Sequence, residues 1–255
     1  MKKTAAIIPA RMAASRFPGK PLADILGMPM IEHVRRRVLL SGKFDEVWVA
    51  TCDDEIFNAV ENYGGKAVMT SDKHERCTER VEEAAREIDA DIIGIIQGDE
   101  PLIIPEFIEI LIDTMLADEN IYCSNIISEI EEPEDLKNTD IVKAIVDLGD
   151  DIMYFSRADI PYFRDTSSYT CFRQTGISAF SSEFLKTYTK TPQSPLEKAE
   201  SVDFLRILEN GYKIKAVKTR FRTYGVDRER DVEIIENILK NDSIQNDYYK
   251  RTLDL

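Results

Sequence analysis

Between Ile7 and Leu22 the chain reads Ile-Ile-Pro-Ala-Arg-Met-Ala-Ala-Ser-Arg-Phe-Pro-Gly-Lys-Pro-Leu, and this stretch holds its densest chemistry. A short apolar strand runs into a loop carrying Arg11, Ser15, Arg16, Gly19 and Lys20, and an amphipathic helix is expected from Met30 to Leu40. Strand, basic glycine-containing loop and helix is the order in which α/β proteins build a pocket for a polyphosphate, because backbone N–H groups and cations converge there. Gly19 lets the backbone come close to a ligand, while Pro18 and Pro21 restrict the loop. The run lacks the paired glycines and the Lys-Ser/Thr of a Walker A loop. Plain solvation is the alternative for loop cations, but Arg11, Arg16 and Lys20 crowd beside one glycine and two prolines.

Carboxylates supply the second kind of chemistry. Gln97-Gly98-Asp99-Glu100-Pro101 follows the most apolar strand-like run, Asp91–Gln97. A carboxylate at the carboxyl end of a central strand faces the crevice where open α/β sheets bind ligands. Asp99 is therefore a candidate ligand for Mg²⁺, a hard cation that bridges one or two carboxylates to phosphates; its alternative is a turn that caps the helix from Pro105. Asp227, in Gly225-Val226-Asp227, either N-caps a helix from Arg228 or supplies the other metal carboxylate. The polar loop Asp72–Arg80 can meet a nucleobase, ribose or phosphate through Thr78 and its N–H groups, with His74 able to touch nucleotide. Arg157 lies among apolar neighbours and suits either a ligand carboxylate or a structural salt bridge. His33, inside the first helical stretch, reads as packing or surface. No Gly-x-Ser-x-Gly and no Cys–His pair suggests a covalent nucleophile.

The elements that must hold these groups alternate. Strands are expected at Ala5–Ala10, Glu46–Thr51, Lys66–Thr70 and Asp91–Gln97, with helices at Glu55–Tyr63, Thr78–Ile88 and Pro105–Leu116. That rhythm predicts an α/β fold, a mostly parallel sheet with helices on both faces. From about Tyr122 the texture becomes hairpin-like, with strands at Ile121–Ile130, Val142–Val146, Gly176–Phe180 and Lys213–Val217, and helices at Ser181–Thr187, Ser194–Glu209 and Arg228–Lys240. This predicts one domain over residues 1–240, with a nucleotide-binding half to about 120 and a smaller lobe over about 121–240 that completes the sheet and covers the pocket. The tail 241–255 has little amphipathic pattern and is expected to be loose or to pack on a partner subunit.

Composition narrows the functions. With 47 acidic against 33 basic residues the net charge is −14, which argues against nucleic acid and anionic membranes as partners. No early stretch reads as a signal peptide and nothing approaches a membrane span, so a cytoplasmic location is expected. Cys52, Cys77, Cys123 and Cys171 lie far apart without CxxC pairing, and with two histidines a zinc site is not indicated.

Taken in order, these pieces resemble the 3-deoxy-manno-octulosonate cytidylyltransferases, or CMP-Kdo synthetases, up to about Lys240. The matches are Ile8–Leu22, Ala-Thr-x-Asp-Asp-Glu at Ala50–Glu55, Thr-Glu-Arg at Thr78–Arg80, Gln97–Pro101, Tyr-Phe-Ser-Arg-Ala-x-Ile-Pro at Tyr154–Pro161, Ser-Pro-Leu-Glu at Ser194–Glu197 and Gly225–Asp227. The resemblance implies a doubly wound, nucleotide-diphospho-sugar transferase-like fold, Mg²⁺ as cofactor and a homodimer, and it assigns acceptor binding and dimerisation to the lobe over about 121–240. It implies that CTP phosphates sit on Arg11, Ser15, Arg16 and Lys20, with further nucleotide contacts at Thr78, Arg80, Gln97 and Gly98. Lys20, Asp99 and Asp227 would be catalytic, the two aspartates as metal ligands. The implied reaction is attack by the anomeric hydroxyl of a 2-keto-3-deoxy sugar acid on the α-phosphorus of CTP, with loss of pyrophosphate, serving envelope or capsule polysaccharide. Arg157, Gln174, Ser178, Asp203 and Phe204 would meet the acceptor. The chain departs from the family pattern in two places. His-x-Ser-Gly-Thr-Glu-Arg appears as His74-Glu75-Arg76-Cys77-Thr78-Glu79-Arg80. In the acceptor half, a histidine and a tyrosine become Gln174 and Ser178, and Glu-Gln becomes Asp203-Phe204. Lost hydrogen-bond partners on one wall point to a variant acid. Transfer to another small acid or a sugar phosphate, and a catalytically silent nucleotide-binding protein, are the competing readings.

Overall fold

The chain's computed structural model describes residues 2–13, 16–164, 169–220 and 224–255. The chain divides into two units, Met1–Glu109 with Thr223–Leu255, and Ile110–Arg222. It has the expected mixed α/β fold, with a large, mostly parallel sheet.

In the first unit, β1 (Thr4–Pro9) is buried along its whole length, as an apolar strand covered on both faces must be. The Asp24–Ile25 and Met28–Pro29 strands, β2 and β3, form a short hairpin leading into α1 (Met30–Leu40). Then come β4 (Glu46–Thr51), α2 (Asp54–Asn62), β5 (Lys66–Met69), α3 (Cys77–Ala85), β6 (Ile92–Ile95) and α4 (Pro105–Ala117), whose residues from Ile110 onward belong to the second unit. The strands lie in the order β6-β1-β4-β5, all parallel, with α1, α2 and α3 packed on them. Ile7 pairs with Ile95, so β1 and β6 end level and their following loops leave the sheet at one edge.

The second unit holds β7 (Cys123–Glu129), α5 (Pro133–Lys137), β8 (Lys143–Val146), β9 (Ile152–Ser156), β10 (Phe172–Ser181), α6 (Ser182–Lys190), α7 (Pro195–Glu200), α8 (Leu205–Glu209) and β11 (Lys215–Thr219). Here β10 runs antiparallel to β7 and β8, β8 antiparallel to β9, and β11 parallel to β7. The single helix expected over Ser194–Glu209 is two, because Ser201 adopts a left-handed φ of 54° that stops α7. The expectation contained no strand at β9. Asp147 makes the turn before it, its Oδ1 accepting from the N–H groups of Gly149 and Asp151.

The chain then returns to the first unit as α9 (Arg230–Asn241) and α10 (Ser243–Leu253). The tail is thus an ordered helix packed on α1 and α9 of its own chain, not a loose segment. Asp242 caps it, accepting from the N–H groups of Ile244 and Gln245. Its docking is largely polar, which is why no apolar stripe announced it. Arg36 donates to Thr252 O at 2.8 Å, Gln245 to Leu102 O at 3.1 Å, and Tyr248 O–H to the Glu106 carboxylate. Arg37, fully buried, donates to Ile103 O and Gln245 O and lies over the Tyr248 ring; burial pulls its pKa down to about 10. Among the described residues no helix is long and apolar enough to cross a membrane.

His33 is a packing residue. Its Nε2–H donates to Ile25 O at 2.8 Å and its ring stacks on Tyr249. Burial, the largest influence, lowers its pKa from 6.5 to about 4. The unfolded chain therefore binds more protons than the folded one between those values, and stability falls as pH drops through that window. At 1.36 kcal/mol per unit, His33 removes about 2.5 kcal/mol between pH 7 and pH 4.5. Urea unfolding at both pH values should show His33→Gln losing correspondingly less stability than the parent.

Candidate active site

Gly19 has a φ of 75°, a conformation that glycine adopts without strain, and its N–H donates to Met12 O at 3.1 Å. This folds the first loop back and starts a single 3-10 turn, Lys20–Leu22. Asp53 steadies the loop from the end of β4, accepting the Met12 N–H at 2.8 Å. Sequence reasoning missed that role, although Asp53 lies in the Ala50–Glu55 motif.

Lys20 joins three segments. Its Nζ donates to Asp99 Oδ2 at 2.6 Å and to Val226 O at 2.8 Å, while the Val226 N–H donates to Asp99 O at 2.9 Å. Val226 is fully buried with Ile25, Met30, Leu102, Ile235 and Leu239, which fixes the turn that carries Asp227. The Asp227 side chain is 68% exposed, and its Oδ2 lies 3.6 Å from Arg16 Nη1. Asp227 does not cap the helix considered for it: α9 begins at Arg230 with Glu229 at its N-cap position, and Asp231 Oδ2 instead holds the preceding turn by accepting from the N–H groups of Asp227 and Arg228. Asp99 likewise gives its Oδ2 to Lys20, and its Oδ1 has no partner among the described residues.

These groups line one pocket of about 480 Å³, within the range of small-molecule sites. Arg11, Arg16, Lys20, Arg80, Gln97, Gly98, Asp99 and Asp227 of the expected set meet there. Arg80 is 3% exposed, and its Nη1 donates to the Thr70 hydroxyl at 2.5 Å. Gln97 Nε2 donates to Cys77 Sγ at 3.3 Å. Thr78 is buried in the first turn of α3 and is not among the residues that line the pocket. Ser15 lies outside the described residues. The loop before α3 contributes three further lining residues, Glu75, Arg76 and Cys77, none of them in the expected site set. His74 also lines the pocket, and its Nε2 bonds the Glu83 carboxylate on α3. That hydrogen bond is the main reason Glu83 sits below the ordinary carboxylate range.

Gly98, which lines the pocket, is also required by the backbone. A Cβ built there would stand 2.9 Å from Pro9 O and 3.1 Å from Ile31 Cδ1, so the glycine lets the ends of β6 and β1 approach.

In the second unit the acceptor-facing expectations divide. Arg157 bonds the backbone of its own unit: Nε donates to Glu200 O at 2.7 Å, Nη1 to Thr139 O and Asp140 O, and Nη2 to Ser201 O at 3.4 Å. Four of its five N–H donors are thus given to carbonyls that converge on the turn after β9. Phe204 is core, edge-on to both Phe155 and Phe180, because its ring caps their apolar cluster. Ser178 is buried on β10; Gln174, across an irregularity in the same strand, and Asp203, before α8, are half-buried.

A family model described as cytidylyltransferase matches residues 5–214. A 3-deoxy-manno-octulosonate cytidylyltransferase of Geobacter metallireducens is 41% identical over 92% of this chain and 98% of its own length. One of Chlorobium limicola is 43% identical over 92% and 96%. A solved CMP:2-keto-3-deoxy-manno-octonic acid synthetase complexed with CTP is 37% identical, with a TM-score of 0.90 over 93% of this chain and 98% of that one. A 4-diphosphocytidyl-2C-methyl-D-erythritol synthase from Anaerococcus prevotii, 16% identical over 94% and 99% of the two chains, shares the fold with a TM-score of 0.63.

Because the nearest atom to a Cβ at Gly98 is backbone, Gly98→Ala must displace a strand end. The expected cost is about 1–3 kcal/mol in urea unfolding, whereas Gly225→Ala, whose Cβ would meet Asp99 O at an ordinary 3.8 Å, should cost less.

Proposed function

The chain belongs to the cytidylyltransferase family, among the 3-deoxy-manno-octulosonate cytidylyltransferases, and from that premise we propose that it transfers CMP from CTP to the anomeric hydroxyl of a 2-keto-3-deoxy sugar acid, Kdo or a variant of it, releasing pyrophosphate. It is a nucleotidyltransferase. The observation that carries the reading is the Lys20–Asp99–Val226 junction, which sets an ammonium and two carboxylates at the wall of one pocket.

The donor set fits magnesium. Asp99 and Asp227 offer hard oxygens, and the expected coordination of one or two carboxylates completed by phosphate and water suits a pair. Among the described residues no group of three or more His, Cys, Asp or Glu gathers as a metal site, so a cation here would be completed by the nucleotide. When bound, magnesium neutralises phosphate charge and lowers the pKa of an attacking hydroxyl.

The protein's own contribution is positioning and charge. Lys20 and the arginines hold the triphosphate, opposing the charge that builds on the leaving β- and γ-phosphates. The hydroxyl oxygen gives up its proton to solvent and bonds the α-phosphorus, the bond from that phosphorus to the β-phosphate oxygen breaks, and pyrophosphate departs with that electron pair. No side chain need form a covalent intermediate. Gln174, Ser178 and Asp203 are the residues we assign to acceptor discrimination, since replacing the family's histidine, tyrosine and glutamate changes which sugar hydroxyls find partners. The same reading includes a cytoplasmic homodimer.

Pyrophosphate release from CTP and Mg²⁺ with Kdo, its 8-amino analogue, a nonulosonic acid, a sugar phosphate and small acids tests the proposal. Turnover with one of the 2-keto-3-deoxy acids is expected. Turnover only with a sugar phosphate or a small acid would overturn the acceptor class, and silence with every acceptor would overturn the reaction. Asp99→Asn, which can still accept from Lys20, should keep CTP binding by calorimetry and lose about 10²-fold or more in kcat.

A further inference from the structure

The pocket's cations are not equally committed. Lys20 is matched by Asp99 and Arg16 by Asp227. Arg76 also lines the pocket, half-exposed, and its guanidinium has no ion-pair partner among the described residues. Its backbone is pinned: Glu79 Oε2 accepts the Arg76 N–H at 3.3 Å, and φ −106° with ψ 145° sets the residue just before the nine-residue helix α3. One turn further on, Arg80 lines the same pocket nearly fully buried, bonded to a neutral hydroxyl. A buried cation that faces a cavity without a carboxylate bonded to it is stable only when an anion or water completes its shell. Glu75, exposed on the same loop, makes no ion pair with either arginine among the described residues.

We propose that Arg76 binds the phosphate chain of the nucleoside triphosphate, and with it the pyrophosphate product, as a cation that the family's serine at this position does not supply. This rests on the nucleotidyl-transfer reading of the pocket. The wall from α3 presents two arginines and the positive end of a helix, a combination that selects multiply charged phosphate over an uncharged base. A protein of net charge −14 needs such local excess to hold a polyanion.

Calorimetry with inorganic pyrophosphate, CTP and CMP on the parent, Arg76→Ser and Arg76→Lys, alongside steady-state kinetics, tests it. Arg76→Ser should weaken pyrophosphate and CTP binding and raise the KM for CTP about tenfold, with a smaller change in kcat. CMP binding should change less than about threefold, and Arg76→Lys should restore part of the loss. Equal weakening of CMP and CTP would place Arg76 on the nucleoside and overturn the proposal, as would unchanged pyrophosphate and CTP constants. If the parent binds pyrophosphate but turns over no CTP, the transfer reading falls while the pyrophosphate comparison still decides Arg76.

Discussion

Everything else in the nucleotide pocket depends on one ammonium group. Lys20 Nζ reaches a carboxylate from the end of β6 and a carbonyl from the turn before α9, positions far apart in sequence. A lysine so enclosed must be neutralised, since an unpaired charge at a half-buried site loses more hydration than packing returns. Asp99 does this, and the backbone bond from Val226 to Asp99 locks the acceptor of the pair to the turn that carries Asp227. The two carboxylates assigned to a metal are thus positioned by the same contact that holds the first loop.

The pairing also explains how an acidic protein tolerates a basic pocket. Gathering Arg11, Arg16, Lys20, Arg76 and Arg80 around one cavity is repulsive without ligand. Asp99 and Asp227 offset part of that, Arg11 and Arg76 keep contact with water, and buried Arg80 bonds the Thr70 hydroxyl. On the proposed reading a triphosphate meets a site that is organised before binding yet still short of negative charge, which is what positioning catalysis requires.

Legibility in the sequence followed the physics of each element. β1 and β6 were readable because strands covered on both faces become continuous apolar runs, and the first loop because Gly19, Pro18 and Pro21 punctuate a cluster of cations. α10 was not, since it docks through Arg36, Arg37, Gln245 and Tyr248 rather than an apolar stripe. The purpose of Gly98 was also hidden: the motif marked a glycine, but only the placement of Pro9 O shows that the neighbouring strand demands it. Arg76 was legible only as a departure from the family pattern, because a cation in a polar loop looks solvated until the pocket is seen.

The acceptor half was less legible for a related reason. Motif residues there do two jobs that a sequence cannot separate, holding the unit together and facing a ligand. Arg157 lies in a well-matched motif, yet its guanidinium closes the turn after β9 by bonding carbonyls, a task that needs a planar multi-donor fork as much as carboxylate recognition does. Phe204 completes an aromatic cluster with Phe155 and Phe180, so its replacement of a polar residue exchanges a hydrogen-bonding group for core packing. The positions proposed to distinguish the acceptor are then Gln174, Ser178 and Asp203, whose side chains are short or half-buried and retain polar atoms. On the proposed reading such a wall selects its acceptor through the hydroxyls it can satisfy, whereas the pocket of the first unit is built on charges that must be balanced.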